Sequence, residues 1–246
     1  MPAVDAVPAQ VLSPRMPRPI AEGTLPPPVA AKRGRIGEVV VAAGLGGFAL
    51  MFAAVRARRT EAADLAMTLR VQRWRHPTFA TLLRAASWPG FPPQSRCIPP
   101  AIIAGLWLSG LRHEARAATL GWGSALISTG IKALMKRPRP VAGIDLQVVA
   151  APLGGSSFPS GHVLTYVGTY GTLAYLGYAT IRPPVGRAIV VSTLLVLIAL
   201  VGPSRVFQGH HWPSDVTASY LLGAAYLVIV TDAYRRAKEQ QAGQRP

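Results

Sequence analysis

Apolar positions in this chain gather into six runs, at about 37–55, 97–111, 117–135, 162–181, 188–203 and 216–232, separated by basic or proline-rich stretches. A helix needs ~20 mostly apolar residues to cross the hydrocarbon core of a bilayer. The runs 37–55 and 162–181 approach that length, and the others are shorter or interrupted by glycine. Any one alone would fit a buried helix of a soluble protein. Six in succession, with Arg or Lys at most borders, predict an all-α bundle of six transmembrane helices. Small residues in the third run (Gly121, Gly123, Ser124, Ser128, Gly130) would let helices approach closely.

The remaining stretches set the expected boundaries. Residues 1–35 contain eight prolines and end in Lys32, Arg33 and Arg35, the pattern of a disordered tail meeting a membrane border. The membrane domain is then 36–234, and 235–246 is a basic C-terminal tail. Within the domain, 56–96 is basic and moderately polar. Pro77 suits a helix start, Phe79, Leu82, Leu83 and Ala86 fall on one face, and Trp74 and Trp88 stand near the ends. Such a segment either lies in the membrane interface or caps the bundle as an ordinary amphipathic helix.

Composition narrows the partners. Charged residues make up 15% of the 246, against roughly 25% in an average soluble domain, yet the formal net charge is +16. The cations sit in the gaps between apolar runs rather than along one face, which favours anionic lipid or a phosphorylated substrate over nucleic acid. Cys97 is the single cysteine, so no internal disulfide is possible, and we expect it to be a packing residue. Asp5 and several prolines interrupt the N-terminus, which is not expected to act as a signal peptide.

Three polar clusters stand against the apolar runs: KALMKRPRP at 132–140, PSGH at 159–162 and SRVFQGHHWPSD at 204–215. The first two flank the loop between the third and fourth runs, and the last lies between the fifth and sixth. Two crossings separate those loops, so a six-helix chain puts all three on one side of the membrane. With both termini in the cytoplasm, 13 basic residues fall on each side, so the positive-inside rule leaves the orientation open.

Each cluster has a chemical and a bland reading. Lys132, in the last turn of its helix, and Arg139, beyond the break at Pro138, make a point charge and a fork suited to phosphate, or else they are border cations like Lys136 and Arg137. Ser160 is placed to cap the helix that begins near Gly161, whose free N–H groups would face an anion, and His162 in the first turn is suited to proton donation or is structural. Pro213 marks a helix start, with His211 just before it and Asp215 one turn inside. That spacing lets the carboxylate bind one imidazole nitrogen and fix the other as a nucleophile, or Asp215 merely caps the helix. His210 adjoins His211 but does not stand four residues before a carboxylate. Arg205 adds a further cation.

Together these clusters resemble the signatures K-x6-R-P, P-S-G-H and S-R-x5-H-x3-D of the type 2 phosphatidic acid phosphatase superfamily, which the sequence matches at Lys132, Arg139, Pro140, Pro159 to His162, Ser204, Arg205, His211 and Asp215. The resemblance implies a six-helix bundle of the phosphatase/haloperoxidase-like kind and a membrane lipid phosphatase. His211 would attack phosphorus, Asp215 orient it, and His162 protonate the leaving oxygen and then help activate water. Lys132, Arg139, Ser160, Gly161 and Arg205 would bind the phosphate. It implies no metal and no cofactor, in a sequence that offers no acidic cluster of the kind that holds magnesium. The implied substrate is a lipid phosphate or diphosphate, such as phosphatidate, phosphatidylglycerol phosphate or polyprenyl diphosphate, at the non-cytoplasmic face of a bacterial inner membrane. Alternatives on the same site are phosphotransfer to an alcohol or vanadate-dependent halide oxidation, as in the related haloperoxidases. A non-catalytic protein that binds anionic lipid is the alternative of another class.

Overall fold

The computed structural model describes residues 27–74, 76–143, 146–148 and 154–243, with side chains from residue 34 onward. The expected tail at 1–26 lies outside them. Contacts divide the chain after Ile36, within its first helix, and the unit 37–246 carries everything that bears on the site.

Among the described residues the regular structure is entirely helical. The elements are α1 (Pro27–Arg56), α2 (Glu61–Gln72), α3 (Pro77–Ser87), a 3₁₀ turn (Trp88–Gly90), α4 (Gln94–Leu108), α5 (Arg112–Met135), α6 (Gly161–Thr165), a π-helical turn (Tyr166–Tyr170), α7 (Gly171–Thr180), α8 (Pro184–Phe207) and α9 (Pro213–Gly243). Every apolar run therefore lies on a helix, the fourth on α6, the π turn and α7 in succession. Helix α1 begins at Pro27, earlier than expected, and α9 continues through the stretch expected to be a C-terminal tail.

Among the described residues three helices are long and apolar enough to cross a membrane: Gly34–Arg56, Pro184–Phe207 and Pro213–Gly243. Helix α4 contains Pro99 and Pro100, and α5 buries Glu114, Ser124 and Ser128.

Small residues bring helices together, at Gly121 as expected and at Gly44 besides, whereas Gly130 faces open space. A side chain at Gly44 would strike the Leu221 carbonyl of α9 at 2.6 Å, so α1 and α9 pack backbone to backbone. Gly121 of α5 meets Gly168 in the π turn in the same way. Helix α4 packs on α5, α7 and α3 on α8, and α5 on α9.

The segment 56–96 forms α2 and α3 and packs against α8 and α9. Of the apolar face proposed for α3, Leu83 and Ala86 are buried, while Leu82 is half exposed. Gln72 of α2 donates to the carbonyls of Gln147 (2.8 Å) and Phe207 (3.0 Å), so this segment clamps the loop after α5 to the end of α8. Cys97 is exposed on α4, not packed as expected.

Candidate active site

The backbone after α5 is what gathers the clusters. Lys136 ends α5 in a left-handed conformation (φ 49°), turning the chain so that 137–139 runs beside 156–158. Ser157 N–H donates to the Arg137 carbonyl (2.9 Å) and Ser157 Oγ to the Pro138 carbonyl (3.1 Å). Trp212 Nε1 donates to the same Pro138 carbonyl (3.1 Å), which ties in the loop before α9.

On this frame the predicted residues converge. Lys132 Nζ and Arg139 Nη2 both donate to the Ser156 carbonyl, at 2.7 and 3.2 Å. Arg139 Nη1 donates to the His210 carbonyl (2.8 Å) and lies 3.3 Å from His211 Nε2. Ser160 N–H donates to the Asp215 carbonyl (3.4 Å), and Gly161 stands against Ser128 and the Lys132 stem. Arg205 packs its guanidinium over the Phe91 ring (4.8 Å), whose edge also meets His162 (4.8 Å between centroids). The charges of Arg205, His211, Lys132 and Arg139 all act on His162, so both imidazoles share one electrostatic environment.

Several details depart from the sequence expectation. Ser160 occupies the N-cap position of α6, but its hydroxyl makes no capping bond and is buried without a partner. His211 Nδ1 lies 3.5 Å from Asp215 Oδ2, long for a hydrogen bond, because that oxygen accepts the Trp212 N–H at 2.9 Å. A contact of this length before substrate binds is common among catalytic bases. Arg137, read as a border cation beside Lys136, is instead nearly buried and bridges Asp215 and Asp64. Asp64 also accepts from the Ser214 N–H (2.9 Å) and hydroxyl (2.7 Å), so α2 braces the start of α9. Ser204, a motif residue given no role, donates to the Leu83 carbonyl (2.6 Å) and ties α8 to α3.

Two features state what the pocket can hold. All three guanidinium nitrogens of Arg205 are buried without a protein acceptor among the described residues, as are His162 Nε2 and Ser160 Oγ. A buried charge costs several kcal/mol unless paired, so the donor set is built for an anion. His211 holds its proton weakly: burial, then the positive charges of Lys132, Arg139 and Arg205, push its pKa well below 6.5. The imidazole is thereby kept neutral, with Arg139 Nη1 3.3 Å from its Nε2. His210, the neighbour, presents only its carbonyl to Arg139, and its buried ring lies near Phe91. Beside His162 opens a cavity of about 260 Å³, walled by Gly90, Pro99, Trp122, Ala125, Tyr166 and Thr169.

The helical fold is shared with two solved structures. It is similar to the crystal structure of the first transmembrane PAP2-type phosphatidylglycerolphosphate phosphatase from Bacillus subtilis, with a TM-score of 0.69 and 22% identity over 80% of this chain and 96% of that one. It is also similar to Aquifex aeolicus LpxE, with a TM-score of 0.52 and 22% identity over 68% of this chain and 94% of that one. No curated protein matches. The PAP2 superfamily model matches residues 116–239, and the chain belongs to that superfamily.

Proposed function

We propose that this protein is a membrane lipid phosphatase that hydrolyses a lipid phosphate monoester or diphosphate through a phosphohistidine on His211. The observation that carries this reading is the buried, acceptor-free guanidinium of Arg205 beside Arg139, Lys132 and two buried imidazoles. Substrates of the phosphatidate, phosphatidylglycerol phosphate and polyprenyl diphosphate classes all present a phosphate that this donor set would grip. The likeness to the Bacillus subtilis phosphatidylglycerolphosphate phosphatase supports the same class.

In this reading Lys132, Arg139, Arg205, the Ser160 hydroxyl and the backbone N–H at Gly161 bind the phosphoryl oxygens. These preorganised donors stabilise the charge of the transition state, usually the largest catalytic contribution. His211 Nε2 attacks phosphorus, and the P–O bond to the lipid breaks. Asp215 stabilises the resulting imidazolium, and His162 delivers a proton to the departing oxygen. His162 then takes a proton from water, which attacks the phosphohistidine, frees phosphate and restores both rings.

The remaining expectations belong to the same proposal. The helical stretches α1, α4, α5, α6–α7, α8 and α9 are six crossings of a bacterial inner membrane, three of them shorter or more polar than an ordinary span, with the site at the non-cytoplasmic face. The lipid chain stays in the bilayer while its phosphate enters the pocket. Purified protein should release phosphate from at least one of the three lipid classes, and His211→Ala should abolish release. Phosphate release from none of them, or full activity in His211→Ala, refutes the reading.

A further inference from the structure

Arg58 and Lys136 are the non-glycine residues with positive φ among the described residues, at 58° and 49°. This conformation costs an L-residue roughly 1–2 kcal/mol, and helix ends that need it usually use glycine. Here a long basic side chain stands at both positions, one just beyond the end of α1 and the other at the end of α5. Both line the same cavity of about 670 Å³, which lies outside the catalytic pocket.

The cavity is amphipathic. Val55, Leu65 and Met135 form an apolar wall, while Arg56, Arg58 and Lys136 present exposed cations. Its remaining charges are Arg137, Asp64 and Glu61. Arg137 and Asp64 are committed to one another and to Asp215, and the contact of Arg58 with Glu61 is exposed and long at 3.9 Å. The free excess is positive, and it sits against the carbonyl ends of two helices. Those ends attract cations, which accounts for the charge but not for the left-handed backbone.

Depth identifies the ligand. The apolar stretch of α1 that can cross a membrane ends at Arg56, and that of α9 begins at Pro213, next to the cavity-lining Trp212. Arginine and tryptophan at the ends of spans mark the headgroup layer. A basic pocket at that level with an apolar wall fits a phosphate carried on a hydrocarbon chain.

We propose that this cavity is a second, non-catalytic site, which holds the phosphate of an anionic phospholipid between Arg56, Arg58 and Lys136 while its chain lies along Val55, Leu65 and Met135. Arg137 is the wall it shares with the catalytic pocket, so the site lies directly behind the carboxylate pair at Asp64 and Asp215.

Binding to the full chain in an uncharged detergent tests this by native mass spectrometry, with phosphatidylglycerol as the probe. Arg205→Met serves as the background, because it removes a phosphate donor from the catalytic pocket. One phosphatidylglycerol should remain bound there, and phosphatidylcholine should bind far more weakly. Arg58→Ala with Lys136→Ala should weaken phosphatidylglycerol about thirtyfold, from on the order of 1 kcal/mol per basic side chain. Leu65→Trp, which fills the cavity without touching its charges, should weaken it as well and covers the case in which the double variant fails to fold. Unchanged affinity in the double variant and in Leu65→Trp overturns the site, as does loss of the bound lipid in Arg205→Met alone. Equal binding of phosphatidylcholine, or displacement by glycerol 3-phosphate as effective as by lipid, overturns the assignment to an anionic lipid. Because binding is read without turnover, the outcome is independent of whether the chain is a hydrolase.

Discussion

Arg137 Nη1 donates to Asp215 Oδ1 at 2.5 Å, so the carboxylate beside His211 is itself held by a cation that belongs to none of the three motif positions. The other arm, Nη2, donates to Asp64 Oδ2 at 2.7 Å. Two carboxylates and one guanidinium leave a single negative charge behind His211, facing the three cations Lys132, Arg139 and Arg205. Replacing Arg137 by Met would strand two buried carboxylates, and we expect a loss of about 3–5 kcal/mol of stability, read as a fall in the unfolding temperature. Lys would restore charge but not the two-armed geometry, so it should recover stability better than activity.

Asp64→Asn separates bracing from charge. The amide keeps its shape against Ser214 but withdraws the extra negative charge, so Arg137 neutralises Asp215 and the imidazolium of His211 loses support. We expect kcat/KM to fall on the order of tenfold and its acid limb to move to lower pH. A purely structural role would lower the unfolding temperature and leave the limb where it was.

The pH dependence of the native enzyme follows from His211. Its unfolded imidazole titrates near 6.5, while the folded one is held well below that by burial and by Lys132, Arg139 and Arg205. In the proposed mechanism the neutral ring is the nucleophile, so this group should cost kcat/KM nothing as pH falls through 6.5 and should lower it only near the depressed folded value. Once phosphate occupies the pocket it cancels part of the positive field, so the limb of kcat should lie at higher pH than that of kcat/KM. The linkage has a fixed sign. Between the folded value and 6.5 the unfolded chain binds the proton that the folded chain refuses, so this group makes stability fall as pH falls. Coincident limbs for kcat and kcat/KM, both near 6.5, would contradict the assignment.

How far the sequence carried this reading differs between the frame and the site. All six apolar runs lie on helices, because apolar clustering is a local property, and helices start at Pro77, Gly161 and Pro213 as expected, because proline and glycine punctuate helices locally. Three of the helices lack the length or composition of a span: α4 is short and carries two prolines, α5 buries polar groups, and α6–α7 is interrupted by the π turn. The motif residues were legible because their spacing within each cluster is fixed. Arg137 was not, since a border cation looks the same in sequence whether it meets water or a carboxylate 73 residues earlier. Asp64, on a helix read as interfacial, gave no signal for the same reason.

Arg205 sets stability against function. Its guanidinium is buried without an acceptor and stands among other cations, which is unfavourable in the free protein. Arg205→Met should therefore raise the unfolding temperature or leave it unchanged, while kcat/KM falls on the order of a thousandfold with the loss of a transition-state donor. A variant that is both inactive and strongly destabilised would show that the side chain is structural.

Gly90 tests whether His162 must be free to turn. It sits in the 3₁₀ turn after α3, and a methyl group there would collide with the His162 ring and come within 3.0 Å of Tyr166. Tyr166 is anchored by its hydroxyl on the Ala86 carbonyl (2.9 Å), so it has little room to yield, and the imidazole must move instead. Gly90→Ala should displace the proposed proton donor without altering any charge. The cost should then depend on the leaving group: large for an alkyl phosphate, whose departing oxygen needs the proton, and small for p-nitrophenyl phosphate, whose phenolate leaves unaided. Equal losses on both substrates would mean that the methyl disturbs phosphate binding rather than the proton, and would remove His162 from the role of acid.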